Sequence, residues 1–291
     1  MLLKLVERNL KRYLKDTMGV FFSFLSVIMV IIMYAAFLGD NTLAGVKNSV
    51  GDTPYVDGLV MAWLMAGIVF ISTVTVPVSV LGLFSEDRAA KTLDDFYTSP
   101  IPRSRFVLSY LLSSLIVTTI MASFNFFLGQ LYILTLGYGF IPLIDALMVL
   151  LVILLCSLTY SCIFFFLAVL MKSNKAFGSL EGIVGTLIGF FGGIYIPIGV
   201  ISSSVALFVN LLPFAYGVTL MRIAYMPVFM TKVFEGAPVE IVENFELFFG
   251  MSIKFGSTVM NTPLMIGAML LYSAVFFGLS LIIMKKQKFV A

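Results

Sequence analysis

Residues 85–105 read Ser-Glu-Asp-Arg-Ala-Ala-Lys-Thr-Leu-Asp-Asp-Phe-Tyr-Thr-Ser-Pro-Ile-Pro-Arg-Ser-Arg, which is an island of charge between two long apolar segments. Ser85 can cap the N-terminus of a helix, and the two acids that follow it suit the positive end of the helix dipole. Pro100 cannot continue a helix, so the helix is predicted to end just before it. The pattern therefore predicts a short helix over residues 85–99 that lies at the membrane surface between two spans.

The two sides of this predicted coupling helix differ in polarity. Its apolar side carries Ala89, Leu93, Phe96 and Tyr97, and its charged side carries Asp87, Arg88, Lys91, Asp94 and Asp95. Such an amphipathic helix is fixed to a membrane span at each end. A soluble partner that displaces it can therefore displace the two spans as well. The alternative is an ordinary solvated loop whose basic residues only set the topology.

The composition excludes a soluble globular protein. Of the 291 residues, 60% are hydrophobic and 11% are charged, whereas soluble domains carry about 25% charged residues. Histidine is absent, and the two cysteines, Cys156 and Cys162, lie on different faces of one apolar segment, so we expect neither a metal site nor histidine-based catalysis. No Gly-x-x-x-x-Gly-Lys-Ser/Thr loop occurs, and the chain therefore lacks that device for binding ATP.

The hydropathy pattern predicts an all-α membrane protein that forms a single domain over residues 1–291. Residues 1–18 alternate apolar and basic side chains at helical spacing, which indicates an interfacial helix on the anionic cytoplasmic leaflet. Leu3, Val6, Leu10, Tyr13 and Leu14 are expected on its apolar face. Six transmembrane helices are predicted at about 19–38, 59–84, 106–136, 143–171, 176–198 and 264–284.

The distribution of charge sets the predicted orientation, with both termini in the cytoplasm. Six spans leave only four of the eighteen basic residues outside, namely Lys47, Arg222, Lys232 and Lys254. A seventh full span at Val205 to Met221 would place the basic C-terminal residues on the wrong side. We therefore predict a re-entrant or interfacial helix there, within an outer region that covers residues 199–263.

Two stripes of small residues mark the second and fifth spans. The second span carries Ser72, Thr75, Ser79, Gly82 and Glu86 on one side, and the fifth carries Gly178, Gly182, Gly185, Gly189 and Gly192. Either stripe can form a wall of a transport cavity or a close helix contact, for example across a dimer. Glu181 lies beside the glycine stripe, and a carboxylate at membrane depth indicates a functional site. A structural or gating role is preferred for Glu181 over proton coupling.

The charged island resembles the first cytoplasmic loop of the ABC type-2 exporter permeases, the family of the daunorubicin-resistance and G-subfamily transporters. Those loops have an acid-rich start, Gly-Thr-Leu-Glu, an aromatic residue or leucine, then Thr-Pro-Ile and an arginine. The matching residues here are Glu86, Thr92-Leu93-Asp94, Phe96-Tyr97, Ser99-Pro100-Ile101 and Arg103. Lys91 stands where the family usually has glycine, and Tyr110 stands where a lysine is common.

A second resemblance to the same family lies after the fifth span. There a Gly-x-x-x-Pro segment leads to a re-entrant pair with Pro-x-x-Tyr and Leu-x-Arg. The matching residues are Gly193 to Pro197, Pro213 to Tyr216, and Leu220-Met221-Arg222. The two matches occur in the expected order in both halves of the chain.

The resemblance implies a permease that is not an enzyme by itself and binds no cofactor. Two copies of a separate ABC ATPase subunit would bind ATP and Mg²⁺, and a second permease chain, identical or homologous, would complete the complex in the cytoplasmic membrane. The implied ATPase-coupling residues are Glu86, Asp87, Arg88, Leu93, Phe96, Tyr97 and Arg103. The implied substrate pathway or dimer face comprises Ser72, Thr75, Ser79, Glu181, Gly185, Gly189 and Gly192.

The implied activity is export of an amphiphilic drug, hydrophobic peptide or lipid-like molecule. The bound partners are then membrane lipids and protein subunits, and no nucleic acid is expected. A stand-alone secondary transporter is one alternative, but it would favour paired intramembrane charges and an inverted repeat. A non-transporting sensor or immunity protein with a permease-like fold is the other alternative.

Overall fold

The computed structural model describes residues 1–21, 28, 32, 39–51, 53–93, 102–171, 173–256 and 258–286, and these residues are mostly helical. In chain order, the helices are α1 (Leu2–Lys15), α2 (Gly39–Val50), α3 (Val56–Ala89), α4 (Arg103–Thr135), α5 (Leu143–Leu170), α6 (Asn174–Phe191), α7 (Ser203–Asn210), α8 (Pro213–Tyr225), α9 (Pro227–Val233), α10 (Val239–Phe248) and α11 (Thr262–Lys286). A 3₁₀ turn covers Ile198–Val200, and the antiparallel strands β1 (Lys254–Phe255) and β2 (Thr258–Val259) form a short hairpin.

Four of the described helices, α3, α4, α5 and α11, are long and apolar enough to cross a membrane. They agree with the predicted second, third, fourth and sixth spans, so the helical membrane fold is confirmed. Most of the predicted first span lies outside the described residues. Helix α6 corresponds to the fifth span but ends at Phe191, because Gly192 and Gly193 turn the chain. The count of six spans stays a prediction.

Helix α3 forms the centre of the bundle and is buried along most of its length. It packs against α4, α5, α6 and α8, whereas α11 lies at the edge and packs mainly on α5. Close approach is possible where side chains are small, as at Gly217 of α8, which lies against the Tyr160 hydroxyl and Cys156 of α5. Membrane helices associate largely through such packing because lipid tails are as apolar as the helices themselves.

The region predicted as one re-entrant or interfacial helix, Val205 to Met221, is a bent pair of helices. Helices α7 and α8 meet at 82°, and the break falls at Pro213, which lacks the N–H of a helix interior and suits the first turn of α8. The Tyr272 hydroxyl donates to the carbonyl oxygen of Leu211 at 3.3 Å, and the Tyr160 hydroxyl donates to that of Pro213 at 3.2 Å. Since both tyrosines lie well inside long helices, the bend lies at the level of the bundle interior.

The chain returns from this bend toward the predicted outer end of the bundle. Phe229 of α9 packs against Gly58, which lies near the start of α3. The start of the pair is likewise close to the outer segment α10, because Phe248 contacts Gly199. Both arms therefore lie toward the same end of α3, and the bent pair is either a broken span or a re-entrant loop.

The predicted helix start at Ser85 differs from the structure. Helix α3 continues through Ser85 and ends only at Ala89, because the preceding apolar segment contains no residue that would stop it there. Lys91 then adopts a positive φ of 57°, which reverses the chain just after the helix. Residues 94–101, which include Phe96 and Tyr97 of the predicted coupling helix, lie outside the described residues.

Candidate coupling site and substrate groove

Asp87 connects three helices at the end of the bundle where α3 ends, which is the predicted cytoplasmic end. Its carboxylate is 2% exposed and accepts hydrogen bonds from Arg8 Nη2 at 3.0 Å, from Arg12, and from the Tyr110 hydroxyl. Arg12 also pairs with Glu86 at 3.3 Å. A buried carboxylate is stable only when its charge is balanced and its oxygens are bonded. Asp87 thus fixes α1 and α4 to the end of α3, and it does not lie on a solvated helix face as predicted.

Helix α1 packs on the bundle with much of the predicted apolar face, because Val6 and Tyr13 are buried and Leu10 is half-buried. Leu5, Val6, Asn9 and Tyr13 are buried against α4 and α3, whereas Leu3 and Leu14 are exposed. The physical reason is that Arg8 and Arg12 lie one turn apart on the same side of α1 and both reach Asp87, which rotates the helix toward that side. The i, i+4 spacing of the two arginines was visible in the sequence, but their common partner was not.

Arg88 caps the C-terminal end of the neighbouring helix α5. Its Nη1 donates to the carbonyl oxygens of Val169 at 3.2 Å and Met171 at 2.8 Å, where α5 ends, and its guanidinium lies 5.1 Å from the Phe84 ring centre. The last carbonyls of a helix have no partners within it and carry partial negative charge. Arg88 therefore links the end of α3 to the end of α5.

Arg103 forms the same kind of contact on the other side of the predicted coupling stretch. Its Nη1 donates to the carbonyl oxygens of Met284 at 2.9 Å and Lys285 at 3.1 Å, in the last turn of α11.

Leu93 is 1% exposed and belongs to the core of the bundle. Among the described members of the predicted coupling set, only Glu86 is exposed.

A groove lies between α3 and α6, near the end of the bundle that carries Asp87. Its volume is about 460 Å³. The end of the α1 segment contributes Tyr13, Asp16 and Gly19, helix α3 contributes Thr75, Ser79, Gly82 and Glu86, and helix α6 contributes Asn174, Gly178, Glu181 and Gly185. The two predicted small-residue stripes therefore face each other, with three carboxylates in the lining. The Ser79 hydroxyl and the Glu181 carboxylate both line this groove.

Other residues of the predicted pathway lie away from the groove. Ser72 is buried and accepts a hydrogen bond from Asn125 of α4 at 2.7 Å, so it forms a helix contact. Gly189 is covered by the Tyr195 ring, and Gly192 contacts Ile194 and Phe70. Gly178, Gly182 and Gly185 have open space at their Cα atoms. The glycine stripe is thus divided into an open N-terminal part, Gly178 to Gly185, and a filled C-terminal part, Gly189 and Gly192.

Arg222 is buried at 1% exposure and caps the other end of α6. Its Nη2 donates to the carbonyl oxygens of Gly192 and Gly193, each at 2.9 Å, and its Nη1 donates to that of Gly250 at 3.4 Å. The guanidinium lies 5.1 Å from the ring centre of Trp63 in α3. Arg222 therefore joins α8 to the end of α6, to the segment after α10 and to α3.

Four long apolar helices, an amphipathic N-terminal helix and buried ion pairs at one end of the bundle are typical of a polytopic membrane protein. The family model for the ABC-2 type transporter matches residues 2–226. The chain belongs to the ABC-2 type transporter family, whose members are membrane permeases that are typically non-catalytic and generally pair with an ATPase subunit. No curated protein matches the chain.

Proposed function

We propose that the chain is the permease subunit of an ATP-driven exporter of amphiphilic molecules, with drugs, hydrophobic peptides or lipid-like molecules as cargo. Two copies of a soluble ABC ATPase dock from the cytoplasm on the stretch between Arg88 and Arg103. ATP and Mg²⁺ bind to those subunits, and a second permease chain, identical or homologous, completes a complex in the cytoplasmic membrane. The daunorubicin-permease and G-subfamily resemblance supports export over import.

The observation that carries the proposal is that this stretch is bonded to different helices on its two sides. Before it, Asp87 binds α1 and α4, and Arg88 binds the end of α5. After it, Arg103 binds the end of α11. A displacement of the stretch would therefore act on the cytoplasmic ends of four other helices together. Coupling requires that ATP binding favours one arrangement of these helices over another by a real free-energy difference.

The groove between α3 and α6 is the proposed pathway into the permease. Helix α6 packs mainly on α3, and among the described contacts its end is capped by Arg222 on the outer side only. The cytoplasmic half of α6 can then separate from α3 while its outer end stays fixed. A second permease chain would close the groove over the open glycines Gly178, Gly182 and Gly185.

The first experiment isolates the chain from its native membrane in mild detergent and identifies the associated proteins by mass spectrometry. We expect a stoichiometric soluble subunit with a Gly-x-x-x-x-Gly-Lys-Ser/Thr loop. Isolation of the chain without any ATPase would contradict the proposal and favour the secondary transporter or the sensor, in which case Glu181 becomes the first residue to substitute.

The second experiment tests coupling in the reconstituted complex. Arg103→Gln removes the contacts to Met284 and Lys285, and we expect ATP hydrolysis to continue while transport per ATP falls about tenfold. Arg105→Gln is the matched control, because Arg105 lies two residues away and is exposed. Equal transport by the two variants would contradict the role of Arg103.

A further inference from the structure

A small cavity lies around Arg222, between α7, α8 and the segment that follows α10. Its volume is about 190 Å³, which is below the roughly 300–1,000 Å³ of drug-sized pockets. One face of α8 lines the cavity with Ala215, Val218, Thr219 and Arg222, which recur at helical spacing. The cavity therefore suits a small molecule, and it shares no lining residue with the groove between α3 and α6.

The positive charge of Arg222 is not balanced by a carboxylate. Within the part of the chain that the structure describes, no acidic side chain forms an ion pair with Arg222, and the described lining of the cavity contains no aspartate or glutamate. Three backbone carbonyls and the ring of Trp63 contact the guanidinium, but these groups carry only partial negative charge. A guanidinium that is 1% exposed and has no counter-ion is costly. An anion in the cavity would remove that cost.

Arg222 also has hydrogen-bond donors that the capping contacts do not use. A guanidinium carries five N–H groups, whereas the three bonds of Arg222 involve Nη1 and Nη2 only, and the Nη1 bond to Gly250 is long at 3.4 Å. Nε is buried and has no hydrogen-bond partner among the described residues. Hydrogen bonds from a guanidinium to a carboxylate are stronger than those between neutral groups. Arg222 can therefore hold an anion and still cap α6.

The rest of the lining indicates which kind of anion fits. Lys254 is exposed and adds a second positive charge to the lining, and Asn210 and Ser252 add polar groups. Most of the other lining side chains are apolar, including Val209 and Leu247. A doubly charged phosphate would lose hydration against these apolar side chains, whereas a monovalent carboxylate can place an apolar part of its own against them.

We propose that this cavity binds a small, free monovalent carboxylate, with its charge beside Arg222 and Lys254 and its apolar part against the apolar lining. The bound anion would hold α8 to the end of α6 and to the segment after α10, because residues of all three line the cavity. The inference goes beyond the proposed export function and does not depend on it, since the site is separate from the groove and from the proposed ATPase docking stretch.

The test uses the full-length chain in nanodiscs of neutral phosphatidylcholine, with isovalerate as the probe. Saturation-transfer NMR measures the binding of isovalerate, and protein-free nanodiscs give the lipid background. We expect saturable binding of isovalerate and about tenfold weaker binding of isovaleramide, which has the same shape without the charge. Sodium chloride at the same concentration should not displace isovalerate, because chloride has no apolar part.

Two substitutions test the position of the site without removing the bonds of Arg222. Ala206→Leu fills the cavity from α7, and we expect it to weaken isovalerate binding about tenfold. Its control is Ala146→Leu, at a half-buried helix position outside the lining. Lys254→Gln should weaken binding about threefold, because the lost charge is exposed. Its control is Lys232→Gln, since Lys232 is also exposed but does not line the cavity.

Four results would overturn the inference. They are the lack of saturable isovalerate binding, equal binding of the uncharged amide, displacement by chloride, and unchanged affinity in both cavity variants. None of these measurements requires an ATPase or a transport assay, so failure here and failure of the proposed function are distinguishable.

Discussion

The Tyr110 hydroxyl of α4 donates a hydrogen bond to the buried carboxylate of Asp87 at the end of α3. The Tyr110 ring makes edge contacts with Phe84 and Phe106, at centroid distances of 5.3 and 5.1 Å. Tyr110 therefore supplies a neutral hydrogen-bond donor to Asp87, while Arg8 and Arg12 supply the positive charge.

Substitution of Asp87 by Asn is expected to loosen helix α1. The change leaves Arg8 and Arg12 without their buried counter-charge, and we expect a loss of about 1–3 kcal/mol, moderated because both arginines are partly exposed. Hydrogen exchange at residues 2–15 should become about tenfold faster or more. Glu7→Gln is the control, since the Glu7–Lys11 pair is exposed on the same helix and should change little. Unchanged exchange in the Asp87 variant would refute the role of this carboxylate.

Lys91→Gly is expected to stabilise the protein. Lys91 has a φ of 57°, which is the left-handed conformation that glycine adopts without a Cβ penalty. We expect a gain of about 0.5–1 kcal/mol, measured as an increase in the thermal unfolding midpoint in detergent. Lys91→Ala separates the backbone effect from the charge, because alanine keeps the Cβ and should give no such gain. A comparable gain with alanine would point to charge instead.

Glu181→Gln is expected to alter cargo selection more than stability. The substitution removes one carboxylate of the groove but keeps a similar size and polarity. In ATP-driven uptake by inverted membrane vesicles, we expect transport of a cationic amphiphile such as rhodamine 6G to fall about tenfold, with less effect on an uncharged amphiphile. Ser179→Ala is the control, because Ser179 is exposed on α6 and does not line the groove. An equal loss for both cargos would exclude charge selection by Glu181.

Arg222→Gln is expected to release the outer end of α6. A glutamine cannot replace the contacts to the Gly192, Gly193 and Gly250 carbonyls, and we expect a loss of about 3 kcal/mol or more because buried carbonyls are left unpaired. Hydrogen exchange should increase first at residues 188–195. Lys232→Gln, at an exposed position in the same outer region, should leave that exchange unchanged. An Arg222 variant with normal exchange there would mean that the end of α6 is held by packing alone.

The positions of α3, α4, α5 and α11 could be predicted because the length of an apolar segment and the residues that end it are local properties. The predicted helix start at Ser85 was wrong, because the neighbouring chain overrides the local signal there. A serine before two acids favours a helix start, but the apolar segment before it already forms a continuous helix that overrides the local preference. On α1, periodicity places Val6 and Tyr13 on the apolar face and both are buried, but it could not predict that Arg8 and Arg12 share Asp87 as a partner.

The site residues were predicted only in part. The facing stripes of α3 and α6 follow from helical periodicity, so Thr75, Ser79, Glu181 and Gly185 do lie together in one groove. Periodicity cannot identify a partner on another helix, however, and it therefore grouped Ser72 with the groove although Asn125 holds it elsewhere. Arg88, Arg103 and Arg222 cap the ends of other helices. The sequence around each arginine does not specify where those other helices end, so the capping roles could not be predicted.

The arginine contacts also impose an order on biosynthesis. Arg8 is separated from Asp87 by 79 positions, and Arg103 is separated from Lys285 by 182. The N-terminal helix therefore cannot form its ion pair with Asp87 until the end of α3 has been translated. Arg103 can bind the Lys285 carbonyl only after the last helix, α11, has been inserted. The contacts on both sides of the proposed ATPase docking stretch are therefore completed last. An unfinished permease that is still bound to the ribosome would not yet present the mature docking surface to an ATPase.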